Sequence, residues 1–322
     1  MQSRIKVWYK SVGVQRVAHA ARWAVTLDGR ALQTPAKSPL ELPTEAMAWA
    51  VAMEWQAQGK FLQPYTMPLM KLATTSIDQV PSIRPQMASS MLRTMHTDVV
   101  ALRADAEDEP ELAAKEAAAY DPLISWLADA EGVQLNATSS LVPPAAAAAA
   151  ARVLGAADDW TLAALDSVTG SCKSFVLALA LYRRRLSARE VCVAARVAEQ
   201  YQTDLWGEVE AGHDLDRADL QVRVSAASAF LRMLPEEGVA APIVDERPRG
   251  ERDMGSWTAF YYTEEQQRRL GVDERGRPLL LLPPVHTGTP VLGQGGPTVL
   301  CVHGVSTLAE SHMWRDWDQS AD

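Results

Sequence analysis

Between Glu199 and His213 the sequence reads EQYQTDLWGEVEAGH, and Glu199, Thr203, Trp206, Glu210 and His213 recur at alternating spacings of four and three. On a helix those intervals fall on one stripe, with Gln202 on its border and Asp214 following His213. Two carboxylates and an imidazole on one stripe have the composition of a general acid/base set, in which Glu199, Glu210 and His213 would move protons. The same residues also suit a partner-binding stripe. An indole fills an apolar hollow and is enriched where binding energy concentrates, while flanking carboxylates pair with basic groups. The plainest alternative is a solvated charged face with one Trp lying along it.

Little other chemistry competes with this stretch. The chain has no phosphate-cradling loop, no glycine fingerprint after a strand and no nucleophile elbow. Cys301, His303 and His312 match no standard zinc spacing. Cys172 and Cys192 sit in apolar runs, where a free thiol is usually core material. Neither a metal nor a cofactor is expected. Arg183, Arg184 and Arg185 invite a phosphate reading, but cations at a helix C-terminus are favoured by the helix dipole in any case.

The elements that would carry the stripe follow from pattern. Ser187-Ala-Arg-Glu190 is a capping box, and the helix it opens is expected to run to about Ala211. Ala194, Ala198, Tyr201, Leu205 and Val209 share its apolar face, opposite the stripe. A strong helix is expected before it, Ser171 to Leu186, and another after it, carrying Leu220, Val224, Ala227, Phe230 and Leu234 and ended by Pro235. Asp121-Pro122 is expected to open a short helix that Gly132 ends, and Val133 to Leu141 reads as a short strand or extended link. The alanine run 145 to 151 reads as a surface helix or linker. The first hundred residues differ. Trp23, Val25 and Leu27 alternate with Ala24, Thr26 and Asp28, and Asp28-Gly29 offers a tight hairpin turn. Thr44 is placed to cap a helix through about Gln58, Pro68 sits in the first turn of the next, and Pro81 and Pro85 are expected to break that one before a third helical run to Met95.

Composition bounds the function. The chain has 322 residues and is 48% hydrophobic, enough for a sizeable core. No apolar run approaches the ~20 residues of a membrane span. Three cysteines exclude a disulfide scaffold. The net charge of −9 argues against a generic nucleic-acid binder. Residues 236 to 322 hold 8 Arg, no Lys and 14 acidic residues, a formal −6, so the acidity belongs mostly to this end. Gly and Pro make up 17 of those 87 residues and the periodicity lapses, which reads as a low-order tail. Neither a secretory signal nor a mitochondrial presequence is visible after Met1.

Tyr201-Gln-Thr-Asp-Leu-Trp-Gly-Glu-Val-Glu210, followed by Gly212-His-Asp214 and Asp219-Leu220, closely resembles the signature of the mitochondrial ATP synthase complex assembly factor 2 family. Further matches keep the family order: Trp8-Tyr9-Lys10, Leu27-Asp-Gly-Arg30, Thr34-Pro-Ala-Lys37, Leu42-Pro-Thr44, Glu54-Trp55, Thr66-Met-Pro-Leu69, Ile77-Asp78, Thr97-Asp98, Asp121-Pro122-Leu123, Gly132-Val133, Thr169-Gly170-Ser171 and Leu177-Ala-Leu-Ala180. The resemblance covers about residues 5 to 235. Tyr120 stands where the family pattern leads one to expect Trp, and Glu116 where it leads one to expect Gln. Residues 236 to 322 resemble nothing recognised.

The resemblance implies an α+β protein with a small α+β N-terminal domain, residues 1–96, and a helical chaperone domain, residues 97–235, ahead of the tail at 236–322. It implies a non-catalytic chaperone that binds the unassembled alpha subunit of the soluble catalytic sector of ATP synthase, releases it on pairing with beta, and works as a monomer in the mitochondrial matrix. Glu199, Gln202, Trp206, Glu210, His213 and Asp214 are the expected partner-binding residues. Trp55, Asp121, Pro122 and Gly170 are expected to be structural, with Trp55 packed between the first helix and its neighbours. The acid/base enzyme on Glu199, Glu210 and His213 stands as the alternative.

Overall fold

The computed structural model describes residues 5–18, 20–137, 144–209 and 212–235. Strands β1 (Val12–Arg16) and β2 (Trp23–Leu27) pair antiparallel with Val14 opposite Val25. Asp28 and Gly29 both take left-handed conformations, φ 48° and 81°, and turn the chain into β3 (Arg30–Ala31). Such a turn matches the twist of the flanking strands, and the Asp28 carboxylate fastens it by accepting from the backbone N–H groups of Lys10 and Ser11. β4 (Glu41–Leu42) also pairs with β2.

Helix α1 (Glu45–Gln56) packs on β1 and β2. The Thr44 hydroxyl caps it by accepting from Met47 N–H at 3.2 Å. Pro68 opens α2 (Pro68–Thr74), where its missing N–H would have had no helical partner. The two prolines that follow do not break the chain as expected. One turn, Thr75–Gln79, widens to π geometry, Pro81 falls in the first turn of α3 (Val80–Thr94), and Pro85 sits inside that helix on its exposed side. The helix persists because water can satisfy the carbonyl that Pro85 leaves without a donor.

Water also explains a second difference. Asp121-Pro122 opens no helix, because α4 (Pro110–Glu131) runs straight through it. Pro122 and Ala118, one turn before it, are both exposed, so the lost hydrogen bond lies on the wet face. Gly132, at φ 65°, ends α4 in the left-handed conformation that suits glycine. The alanine run is no surface feature either. It belongs to α5 (Pro144–Ala156), which lies on α3 with Ala146, Ala149 and Ala150 buried.

The expected helix from Ser171 to Leu186 is two helices. α6 (Asp159–Cys172) stops at Lys173, φ 53°, and α7 (Phe175–Tyr182) restarts at once with Ser174 as its cap. Asp98 explains the restart. Its buried carboxylate accepts from Val100 N–H at 3.0 Å and from Val176 N–H, in the first turn of α7, at 3.1 Å. Burial pushes this carboxyl up to about 6, against those donors. Phe175 through Leu181 are all buried, so α7 forms the centre of the helical part. α8 (Ala188–Ala194) opens on the Ser187–Glu190 capping box, and α9 (Val197–Trp206) and α10 (His213–Met233) follow. α10 lies across α6, α8 and α2. The architecture is α+β, with one hydrophobic core among the described residues, running from Val14 to Phe230. The tail expected at 236–322 lies outside the described residues.

Candidate partner-binding surface

The helix expected from Ser187 to Ala211 is broken. α8 ends at Ala194, Ala195 and Arg196 form a corner, and α9 stops at Trp206 before Gly207, whose φ of 86° turns the chain away. Glu199 and Trp206 therefore share α9, but His213 begins a separate helix, and the single stripe does not form. Glu210 lies outside the described residues.

Arg196 holds the corner. Its guanidinium pairs with Glu199 at 2.8 Å and donates to the carbonyl of His213 at 3.3 Å, tying the starts of α9 and α10 together. The His213 ring, half-buried, accepts the backbone N–H of Val209 at Nδ1, 3.3 Å away. Glu208 pairs with Arg217 at 2.7 Å. His213 and Arg217 thus tie Val209 and Glu208 to the first turns of α10. Glu199 and His213, the acid/base candidates, both make these structural contacts. Two concavities among the described residues lie beside Arg16–Ala21 and between α4 and α8, the second reaching Val197 at the start of α9. No group of three or more His, Cys, Asp or Glu is placed to hold a metal among the described residues.

What the corner presents outward is apolar. α9 touches α4, where Lys115 lies 5.2 Å from the Tyr201 ring and 3.9 Å from the Asp204 carboxylate. No residue of α9 is buried. Trp206 is 77% exposed, Val209 62% and Leu205 54%. Leu205 and Val209 were expected on the core side. They face water because Gly207 ends the helix between them, and that glycine is the signal in the sequence that a single face could not continue. Gln202 is exposed beside them. Asp214, half-buried in the first turn of α10, keeps one carboxylate oxygen out of water without a hydrogen bond among the described residues.

The residues expected to be structural fall as follows. Trp55 is fully buried, in edge-on contact with Tyr9 (5.7 Å) and Trp8 (6.5 Å), and the Tyr9 hydroxyl donates to its carbonyl at 2.6 Å. Asp121 pairs with Arg103 at 2.9 Å. Pro122 lies within α4, and Gly170 is exposed in α6 with open space where a Cβ would stand, so nothing there demands glycine. Sequence reasoning missed the role of Glu54 beside Trp55. Its buried carboxylate caps a different helix, α2, by accepting from Leu69 and Met70 N–H at 2.8 Å each. Pro68 at the start of α2 was the available sign that this helix end lacks a cap of its own.

Residues 6–128 match the family model described as ATP12 chaperone protein. The mitochondrial protein atp12 of Schizosaccharomyces pombe is 24% identical over 66% of this chain and 78% of its own. The mitochondrial protein ATP12 of Saccharomyces cerevisiae is 22% identical over 69% of this chain and 82% of its own. The crystal structure of Atp12 from Paracoccus denitrificans superposes with a TM-score of 0.65 at 31% identity, covering 72% of this chain and 99% of that one.

Proposed function

The chain belongs to the ATP12 chaperone family, and on that premise we propose that it is a non-catalytic chaperone for assembly of the soluble catalytic sector of mitochondrial ATP synthase. Its client is the unassembled alpha subunit, held in the mitochondrial matrix and released when alpha pairs with beta. The observation that carries the surface assignment is the exposed apolar group Leu205, Trp206 and Val209 on a corner fixed by Arg196, His213 and Arg217. A rigid apolar projection is what a chaperone needs to cover a client's own interface, because its shape costs little entropy to hold. Trp206 is the centre of the contact, with Glu199, Gln202 and Glu210 beside it and His213 and Asp214 behind it as positioning groups. The division into residues 1–96 and 97–235 belongs to the same proposal, with the contact on the second unit.

The test is capture from mitochondrial extract by the full-length protein, read for the alpha subunit. Alpha retained in preference to beta supports the reading. Retention of beta alone, or of neither, overturns it.

A further inference from the structure

A second apolar surface lies at the root of α9. Ala119 and Leu123 of α4, Leu186, Val193 and Ala194 around α8, and Val197 at the start of α9 line a groove of about 280 Å³. Val193 is 65% exposed within it. The rim is basic. Arg189 borders the groove and its side chain makes no hydrogen bond or ion pair with a described residue. Of the arginines that precede it in sequence, Arg183 is paired with Glu131 at 2.6 Å and so adds no open charge. The Ser187 N–H and hydroxyl, with Arg185 adding to them, hold the Glu190 carboxyl below its usual range. Glu190 itself is committed to the capping box, accepting from Ser187 N–H at 2.7 Å. A fitting occupant is therefore apolar along one side and acidic at one end.

We propose that the occupant is the chain's own segment Trp257–Glu265. These residues lie outside the described ones, and their sequence carries the argument. Trp257, Phe260 and Tyr261 follow the i, i+3, i+4 spacing of an apolar ligand in a helix groove, and Glu264 and Glu265 come one turn later. Residues 236 to 322 carry a formal −6 and contain no Lys, complementing Arg189. Reach does not limit the contact, since the 22 residues from Pro235 to Trp257 can span roughly 70 Å when extended. Tethering also raises the segment's effective concentration towards the millimolar range, which favours it over a second copy in dilute solution. An occupied groove covers apolar surface directly beside the helix that carries Trp206.

The test uses the full-length chain with Val193 replaced by the photoreactive residue p-benzoylphenylalanine, a change at an exposed position. Irradiation of dilute protein, digestion and mass spectrometry locate the cross-link. Mixing isotopically labelled and unlabelled protein separates links within a chain from links between chains. The expected product is a link within one chain to the peptide containing residues 257–265. Its yield should fall about fivefold in Glu264→Arg with Glu265→Arg, the scale of one or two surface ion pairs, and recover when Arg189→Glu is added. A link between two chains, a link to another tail peptide, or no link in protein shown folded by circular dichroism each overturns the proposal. So does a yield that the charge reversals leave unchanged.

Discussion

The hydroxyl of Thr44 donates to the carbonyl oxygen of Met233 at 2.7 Å, joining residues 189 positions apart. The same hydroxyl accepts from Met47 N–H, so one oxygen both caps α1 and occupies a backbone acceptor in the last turn of α10. A helix end needs such partners because its terminal donors and acceptors have none within the helix.

Thr44→Val keeps the shape and removes both bonds. It should cost ~1–2 kcal/mol, the loss of a good cap plus the tie to α10. Thr44→Ser retains both and should recover most of that. Urea denaturation of the three proteins is the measurement, and a Val variant as stable as wild type would show that the tie carries no energy.

Glu54 makes stability depend on pH. Burial raises its carboxyl from 4.5 to about 8, opposed by the Leu69 and Met70 N–H groups. Over that interval the folded protein holds a proton that the unfolded chain has lost, so this group's contribution is full below about 4.5 and is lost as the pH rises to about 8. Glu54→Gln removes the titration. The stability of wild type relative to Gln should therefore decline with rising pH, by up to ~1.4 kcal/mol per unit. A difference that instead grows with pH would mean that the folded protein favours the ionised carboxylate.

Trp55→Ala empties a fully buried site that also supports Trp8 and Tyr9. The expected loss is ~3–5 kcal/mol, seen as a lowered melting temperature with any binding defect following from unfolding. A normally stable variant that has lost only its partner would place Trp55 in the interface instead.

The α9 corner separates surface function from stability. Trp206→Ser should weaken capture of alpha subunit by about thirtyfold, as for a central contact residue worth ~2 kcal/mol, while changing stability by less than ~0.5 kcal/mol. Glu199→Lys with Glu210→Lys should also lower capture. Because Glu199 pairs with Arg196, circular dichroism must first show the fold intact. Unchanged capture by both folded variants removes the site, though not the family membership.

A chain ending at Pro235 should still unfold cooperatively. The core from Val14 to Phe230 and the Thr44–Met233 bond are complete by then. Thermal melting followed by far-UV circular dichroism tests it, and a broad, shallow transition would show that residues beyond 235 belong to the folding unit.

What could be read from sequence alone was local in origin. The Asp28-Gly29 turn, the Thr44 cap, the Ser187–Glu190 capping box, the first-turn Pro68 and the left-handed Gly132 each depend on atoms within a few residues. The α+β class was equally legible, because alternation and helical spacing record which face of each element is buried. The order of short motifs identified the family. The tertiary structure decided what depends on distant neighbours. Pro85 and Pro122 stay within helices because the faces they occupy are wet. The chain breaks at Lys173 and Ser174, where Asp98, far back in sequence, supplies donors' partners for the start of α7. The Glu54 carboxyl is enclosed because the end of α2 comes to meet it. Leu205 and Val209, apolar and correctly spaced for a core, face water because Gly207 turns the chain before any element can cover them. Periodicity reports which residues share a face. Whether anything packs against that face is settled only when the other elements are in place.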